Sequence, residues 1–188
     1  MNKLIIDYDA VLKYRQRGKT SPFRVWLTWQ FNGAIFLDGG TRAGNSARDF
    51  AFNPKNLVLT YDNESEVEDI KRYTHSRTSR TGHLPNVIYK KLDVNLIEPT
   101  WLFKVDVIFL DISHNGDDER LFLERIEPHF KGILVMDDVN CIEKYPKLYE
   151  LFNSLDREKC LLTDPVGSTT GTGVVPYGDW TVEVKGLT

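Results

Sequence analysis

The sequence predicts an α/β fold built on a doubly wound, mostly parallel β-sheet. Two observations support this prediction: short apolar runs rich in β-branched residues alternate with polar, helix-compatible segments, and these runs lead into aspartates. Each run is too short for a helix, and continuous apolar runs of this length are typical of strands buried on both faces. The five runs that come first along the chain are residues 34–37, 57–61, 87–89, 105–110 and 132–136.

The segments between these runs predict crossover helices. Residues 64–73 carry acidic side chains in the first turn and basic ones in the last, which suits the helix dipole. Residues 142–155 place apolar side chains at helical spacing, and shorter candidates cover residues 45–52 and 117–130. Strand–helix alternation of this kind predicts parallel strands joined by right-handed crossovers.

The last third of the chain changes character. Residues 159–163, 171–178 and 180–184 predict strands joined by turns with no room for a helix, so an antiparallel hairpin should close one edge of the sheet. The first 30 residues predict a helical or extended arm beside the first strand of the sheet. We therefore expect residues 1–188 to form a single Rossmann-like domain with a seven-stranded sheet.

Composition and charge exclude several classes of protein. Lys+Arg 24 against Asp+Glu 27 gives a net charge of −3, which argues against a general nucleic-acid binder. Cys141 and Cys160 are the only cysteines and form neither a zinc motif nor a disulfide framework, which favours a reducing compartment. Neither a signal peptide nor a run long enough to cross a bilayer is visible, so we expect a cytoplasmic protein without a membrane partner.

The strongest candidate site is the turn at residues 38–44, Asp-Gly-Gly-Thr-Arg-Ala-Gly, which follows the first apolar run. Glycines let the backbone approach a ligand closely, and the helix that follows offers free N–H groups. A glycine-rich turn is also an ordinary connection between a strand and a helix. The residues expected to bind a cofactor here are Asp38, Gly39, Gly40, Thr41, Gly44 and Ser46.

Two further acids follow the next two strands. Asp62, with Asn63 beside it, lies where a carboxylate can accept both ribose hydroxyls of a nucleotide-like cofactor. Asp93 follows the third strand, where a carboxylate could accept a hydrogen bond from an adenine amino group. Each is also a common turn acid at a strand end. The glycine spacing does not fit G-x-G-x-x-G, which disfavours an NAD site.

The pattern Asp38-x-Gly40-x-x-x-Gly44 resembles motif I of the class I S-adenosylmethionine-dependent methyltransferases. Asp62 resembles their ribose-binding acid and Asp93 their adenine-side acid. The resemblance runs from about residue 30 to the C-terminus and implies S-adenosylmethionine as the cofactor and methyl transfer as the reaction. It extends to their fourth strand, the segment leading into their fifth, and their last two strands, at residues 105–111, 123–138 and 171–175.

Three carboxylates, Asp111, Asp137 and Asp138, should gather where the fourth and fifth strands end. Unpaired, such a cluster is repulsive, so a divalent cation with oxygen ligands, Mg²⁺, is a natural counter-charge. An acid after strand four with an Asp-Asp pair after strand five resembles the metal site of the sugar (macrocin-type) O-methyltransferases. The catechol type has Asp-Asn, from which Asp138 departs. These acids could also simply cap turns and helices.

His114, three residues after Asp111, is the candidate general base, and these two residues form the predicted catalytic pair. A histidine in a surface loop would give the same pattern. The absence of an Asn/Asp-Pro-Pro-Tyr tetrapeptide after strand four, of a lysine soon after strand five and of a Pro-Cys motif disfavours three classes. These are the adenine and amide N-methyltransferases, the RNA ribose methyltransferases and the cytosine C5 methyltransferases.

The sequence therefore predicts an S-adenosylmethionine-dependent methyltransferase that acts, with divalent-metal assistance, on an oxygen of a small hydroxylated metabolite. One alternative is a nucleic-acid (RNA) methyltransferase that uses the basic loop at residues 72–83. Others are a non-catalytic binding protein of methyltransferase fold and, by resemblance of the Asp-Asp pattern, a hydroxylase related to cephalosporin biosynthesis. No insertion for a substrate cap is visible, which leaves open a homo-oligomer whose partner subunit completes the site.

Overall fold

The structure, a computed structural model, describes residues 2–15, 21–41, 44–63 and 84–186. The predicted helix at residues 64–73 and the basic loop at 72–83 therefore lie outside the described residues. Two short 3-10 helices, Val94–Leu96 and Pro99–Lys104, precede the fifth strand. The strands and α-helices, in chain order, are β1 (Asn2–Asp7), α1 (Tyr8–Leu12), α2 (Pro22–Trp29), β2 (Ile35–Gly39), α3 (Asn45–Phe50), β3 (Leu57–Asp62), β4 (Val87–Lys91), β5 (Val107–Leu110), α4 (Asp117–Ile126), β6 (Ile133–Met136), α5 (Pro146–Ser154), β7 (Cys160–Leu162), β8 (Thr172–Pro176) and β9 (Trp180–Lys185).

A seven-stranded sheet of order β4-β3-β2-β5-β6-β8-β7 forms the centre of the molecule. The first five strands in this order are parallel, whereas β8 is antiparallel to both β6 and β7. This arrangement confirms the predicted Rossmann-like sheet with antiparallel C-terminal strands. The strand order reverses between β2 and β5, which pair directly, so the carboxyl ends of these two strands form the topological switch point where ligands bind in such sheets.

Residues 180–184, which the sequence assigned to the antiparallel hairpin, pair elsewhere. They form β9, which runs parallel to β1 in a separate two-stranded sheet. Leu4 and Ile6 of β1 are buried and Ile5 between them is 40% exposed, so β1 presents one apolar face to the core. This pairing brings together segments that lie far apart in the sequence, and the sequence of neither segment predicts it.

Apolar side chains pack on both faces of the sheet. On one face the rings of Phe36 and Phe109 flank Phe50 of α3, with centroids 5.2 and 5.5 Å from it. The other face packs the strands against α4 and α5. Helix α4 ends at Ile126 rather than at residue 130, because Pro128 has no N–H to continue the helix. Among the described helices, none is both long and apolar enough to cross a membrane.

Candidate active site

The turn after β2 packs its backbone against the loop that follows β5. Gly40 has a φ of +95°, and a Cβ at this position would lie 1.8 Å from the carbonyl oxygen of Asp111, so only glycine fits. The Asp111 N–H donates to the Gly39 carbonyl at 2.9 Å. Gly44, also left-handed with a φ of +70°, leads into α3. The two residues between Thr41 and Gly44 lie outside the described part of the chain.

Asp38 lies beneath this turn with no solvent exposure. Its Oδ2 accepts a hydrogen bond from Thr60 Oγ1 at 2.6 Å, and Thr60 in turn contacts the Thr41 hydroxyl. The other oxygen, Oδ1, has no hydrogen-bond partner in the described structure. Burial raises the pKa of Asp38 to about 6. A buried carboxylate oxygen without a partner marks a place where the donor of a ligand can bind. Ser46, also predicted to bind the cofactor, is buried in the first turn of α3.

A cleft opens beside the turn. Gly40, Asn63 and Asn95 contribute to its walls, together with the carboxylates of Asp62, Asp93 and Asp118. Asp93 also caps the first 3-10 helix by accepting the Asn95 N–H at 2.8 Å. Among the described residues, no lysine or arginine lines the cleft. The three aspartates favour ligands that donate hydrogen bonds or carry positive charge.

The loops after β5 and β6 bring Asp111, His114 and Asp138 together, with one potential ligand atom of each within 4.8 Å of the others. His114 Nε2 lies 2.8 Å from Asp111 Oδ1 and 3.3 Å from Asp138 Oδ2. In spite of these short distances, the ring N–H at Nε2 is not directed along either line. The sequence predicted the association of Asp111 with Asp138, and the structure adds the imidazole to it.

The backbone at this group is strained and well supported. His114 and Asp138, with φ of 59° and 58°, are the two non-glycine residues of positive φ in the described structure. Such conformations cost on the order of 1 kcal/mol or more and persist where the surroundings enforce them. Buried Glu119 holds the backbone in place by accepting hydrogen bonds from the N–H groups of His114 and Gly116, both at 2.7 Å. The Tyr145 ring stacks on the imidazole with centroids 4.5 Å apart.

The charge state of His114 bears on the base role predicted for it. Burial alone would lower the pKa of His114, but the carboxylates of Asp111 and Asp138 raise it to about 10. At neutral pH the imidazole is therefore protonated when only these residues surround it. A protonated imidazole cannot accept a proton, so His114 could act as a base only after another cation had displaced this proton.

Asp137 lies outside the group of Asp111, His114 and Asp138, although the sequence placed all three aspartates together as metal ligands. Its Oδ1 accepts hydrogen bonds from Ser168 Oγ at 2.9 Å and Thr172 Oγ1 at 3.2 Å, and its Oδ2 lies 3.6 Å from Arg24 Nη1. Asp138, which follows with a left-handed backbone, instead lies beside His114. Burial, together with the Asp111 charge, raises the pKa of Asp137.

The sequence did not single out two residues that hold this site in place. Arg24 of α2 pairs with buried Asp49 at 3.0 Å and lies over the Phe109 ring. The sequence feature that could have identified Arg24 is its place as an arginine within an apolar stretch, just after the Ser-Pro pair that begins the helix. Glu119 stands three residues after Gly116, the spacing of a helix capping box, and that spacing is visible in the sequence.

Comparison with known proteins supports the fold. No protein-family model matches the sequence, and no curated protein is similar enough to it to count as a relative. The SAH-bound methyltransferase PaMTH1 from Podospora anserina is similar in structure, with a TM-score of 0.59 at 15% identity over 91% of this chain and 88% of that chain. A proposed O-methyltransferase from Klebsiella pneumoniae has a TM-score of 0.57 at 13% identity over 90% and 88%. A proposed rRNA methylase from Clostridium thermocellum has a TM-score of 0.56 at 13% identity over 88% and 100%. At these identities the likeness establishes the class I methyltransferase fold.

Proposed function

We propose that this protein is an S-adenosylmethionine-dependent methyltransferase that methylates an oxygen of a small hydroxylated molecule with the help of a divalent cation. One observation carries the proposal: the glycine turn and the group of Asp111, His114 and Asp138 are in direct contact. Asp111 bonds to Gly39 through its backbone, and Gly40 packs against its carbonyl. A ligand bound at the turn would therefore lie beside carboxylates that can accept the proton of a hydroxyl group.

The cleft has the chemistry that this cofactor requires. Asp38 Oδ1, which has no well-aligned donor among the described residues although Ser46 lies near this carboxyl, would accept a hydrogen bond from the ammonium group of the methionine portion. Asp62 would accept the ribose hydroxyls, and Asp93 would face the adenine side of the cleft. An acidic cleft suits a nucleoside that bears a sulfonium and no phosphate. When bound, S-adenosylmethionine supplies the methyl group.

The group of Asp111, His114 and Asp138 fits a divalent cation. Ligand atoms about 2.1 Å from a cation and at right angles to each other lie about 3.0 Å apart, close to the observed spacings of 2.8 and 3.3 Å. A bound cation would supply positive charge that stabilises a deprotonated acceptor hydroxyl. With His114 engaged in this group, Asp111, whose backbone is bonded to Gly39 of the turn, is the remaining member of the predicted catalytic pair. We therefore assign the removal of the hydroxyl proton to Asp111.

Two measurements test this function. Isothermal titration with S-adenosylhomocysteine tests the cofactor, and transfer of a labelled methyl group to a panel of catechols and sugars, with and without divalent ions, tests the reaction. Asp111→Asn should lower the rate of transfer at least about 100-fold and leave S-adenosylhomocysteine binding within about 3-fold of wild type. Asp156→Asn, at an exposed position, is the matched control. No binding to the wild type, or full activity of the Asp111 variant, would contradict the proposal.

A nucleic-acid substrate receives no support from the described residues. The basic loop that suggested it, residues 72–83, lies outside the described part of the chain. The methyl-transfer assay, run beside the titration with S-adenosylhomocysteine, separates an enzyme from a protein that binds the cofactor without catalysis.

A further inference from the structure

We infer that the cation held by Asp111, His114 and Asp138 is a first-row transition metal rather than Mg²⁺. The inference rests on the proposed function and deepens it, because it names the class of ion that the same site selects. It departs from the expectation drawn from the sequence, in which three aspartates would hold Mg²⁺.

The donor set is the first reason. Mg²⁺ binds to oxygen ligands and keeps several of its waters, and a site of three carboxylates would suit it. The structure instead groups two carboxylates with one imidazole nitrogen. Imidazole is a ligand for first-row transition metals such as zinc, iron and nickel, whose affinity for nitrogen exceeds that of Mg²⁺. Replacement of one carboxylate by an imidazole thus shifts the preference of the site toward those ions.

The direction of His114 Nε2 is the second reason. In an ion pair between histidine and aspartate, the ring N–H points at a carboxylate oxygen. Here Nε2 lies 2.8 Å from Asp111 Oδ1 and 3.3 Å from Asp138 Oδ2, and its single N–H is aligned with neither oxygen. When a nitrogen and an oxygen bind the same ion at right angles, the nitrogen lone pair points about 45° away from the line between the two ligand atoms. Short distances without hydrogen-bond alignment are therefore what neighbouring ligands of one ion show.

The surroundings of Asp137 are the third reason. Its oxygens are already engaged by Ser168 and Thr172 and by the charge of Arg24, and Arg24 is in turn held by buried Asp49. For Asp137 to become the third ligand, these contacts would have to break. His114 requires no such rearrangement, because Glu119 holds its backbone and Tyr145 stacks on its ring.

Metal binding to the full-length protein, stripped with a chelator, tests the inference. Titrations with Mn²⁺, Co²⁺ and Mg²⁺ in the presence of S-adenosylhomocysteine should show Co²⁺ and Mn²⁺ binding at least about 100-fold more tightly than Mg²⁺. Pulsed electron paramagnetic resonance of the Mn²⁺-loaded wild type should show coupling to an imidazole nitrogen, and this readout needs no variant. Equal affinity for Co²⁺ and Mg²⁺, or absence of the nitrogen coupling, would overturn the inference.

A pair of variants isolates the imidazole. His114→Asp creates a site with oxygen ligands only, and aspartate tolerates the left-handed backbone at this position. The ratio of Co²⁺ to Mg²⁺ affinity should fall at least about 10-fold in this variant. His129→Gln, outside the group, should keep the wild-type ratio and serves as the matched control. An unchanged ratio in His114→Asp would overturn the inference.

Failure of this inference can be told apart from failure of the proposed function. If S-adenosylhomocysteine binds and no divalent ion does, the metal inference is wrong and the cofactor assignment stands. If Mn²⁺ binds with nitrogen coupling and S-adenosylhomocysteine does not bind, the metal site stands and the methyltransferase proposal is wrong.

Discussion

Asp38 links the stability of the protein to its ligand binding. Burial raises its pKa from 3.8 to about 6, so the folded protein binds this proton more tightly than the unfolded chain does. The stability gained in this way is fully present below about pH 4 and is lost as the pH rises through about 6, a change of about 3 kcal/mol. Asp38→Asn, which stays uncharged, should therefore be more stable than wild type at pH 8 and lose that advantage near pH 4. Urea unfolding at both pH values measures this.

The same substitution should lower the affinity of the protein for the cofactor. Asp38 Oδ1 has no described partner, and a neutral amide at that place would replace a charged acceptor for the ammonium group of the ligand. A hydrogen bond to a charged group contributes about 1.5–3 kcal/mol, which corresponds to a loss of about 10-fold or more in affinity. Isothermal titration of Asp38→Asn with S-adenosylmethionine measures this loss of affinity, and Asp156→Asn serves as the control. Wild-type affinity in Asp38→Asn would show that the unpartnered oxygen does not face the ligand.

Glu119 offers a second test at the scale of one side chain. Its two oxygens accept the backbone N–H groups of His114 and Gly116 inside the protein. In Glu119→Gln an amide N–H₂ would face one of these donors, which should cost about 1–3 kcal/mol and lower metal affinity through the misplaced His114. Glu124→Gln, exposed on the same helix, should change neither quantity. Equal urea midpoints for the two variants would rule out this role of Glu119.

Some residues of the candidate site can be predicted from local sequence patterns, whereas others are placed by contacts between distant parts of the chain. The positions of Asp38, Asp62 and Asp111 follow from strand ends, and strand ends are visible as the close of an apolar run. The grouping of His114, rather than Asp137, with Asp111 and Asp138 depends on a contact of Asp137 with Arg24, which lies more than a hundred residues away in the chain. No local pattern contains that information.

At the scale of elements, the turn between β2 and α3 permits a controlled comparison. Gly40 and Gly33 both have positive φ, at +95° and +74°. A Cβ on Gly33 meets nothing within 4 Å, so Gly33→Ala should cost only the backbone strain of about 1–2 kcal/mol. A Cβ on Gly40 would overlap the Asp111 carbonyl, so Gly40→Ala should cost several kcal/mol more and abolish S-adenosylhomocysteine binding. Thermal unfolding and titration of both variants measure the difference, and similar losses would contradict the close packing described here.

The strands differ in how well their pairing can be predicted from the sequence. Four of the five parallel strands, β2, β3, β5 and β6, are buried on both faces and read as continuous apolar runs, whereas the edge strand β4 is largely exposed. Strand β1 has only three apolar residues, Leu-Ile-Ile, between polar ones, and its partner β9 lies at the other end of the chain. Such a pairing depends on the assembled core under Leu4 and Ile6, and the sequence of either strand alone does not specify it.

At the scale of the whole molecule, charge is concentrated at one edge of the sheet. The chain carries a net charge of only −3, yet the carboxyl ends of β2, β3, β5 and β6 present Asp38, Asp62, Asp111, Asp137 and Asp138. The resulting field acts on a ligand locally and is screened by salt. S-adenosylmethionine carries one net positive charge from its sulfonium, whereas S-adenosylhomocysteine is neutral overall, so the pair measures this field directly.

Raising NaCl from about 0.1 M to about 1 M shortens the Debye length from about 10 Å to about 3 Å. The dissociation constant of S-adenosylmethionine should then increase about 3- to 10-fold, because the partly exposed carboxylates around the turn no longer attract the sulfonium as strongly. The dissociation constant of S-adenosylhomocysteine should change less than about 2-fold, because it carries no net charge for the edge to attract. Titrations with both ligands at both salt concentrations measure the difference. Parallel weakening of the two would mean that the field of the strand-end aspartates does not reach the sulfonium, and that Asp111 lies farther from the transferred methyl group than the contact between Gly40 and Asp111 indicates.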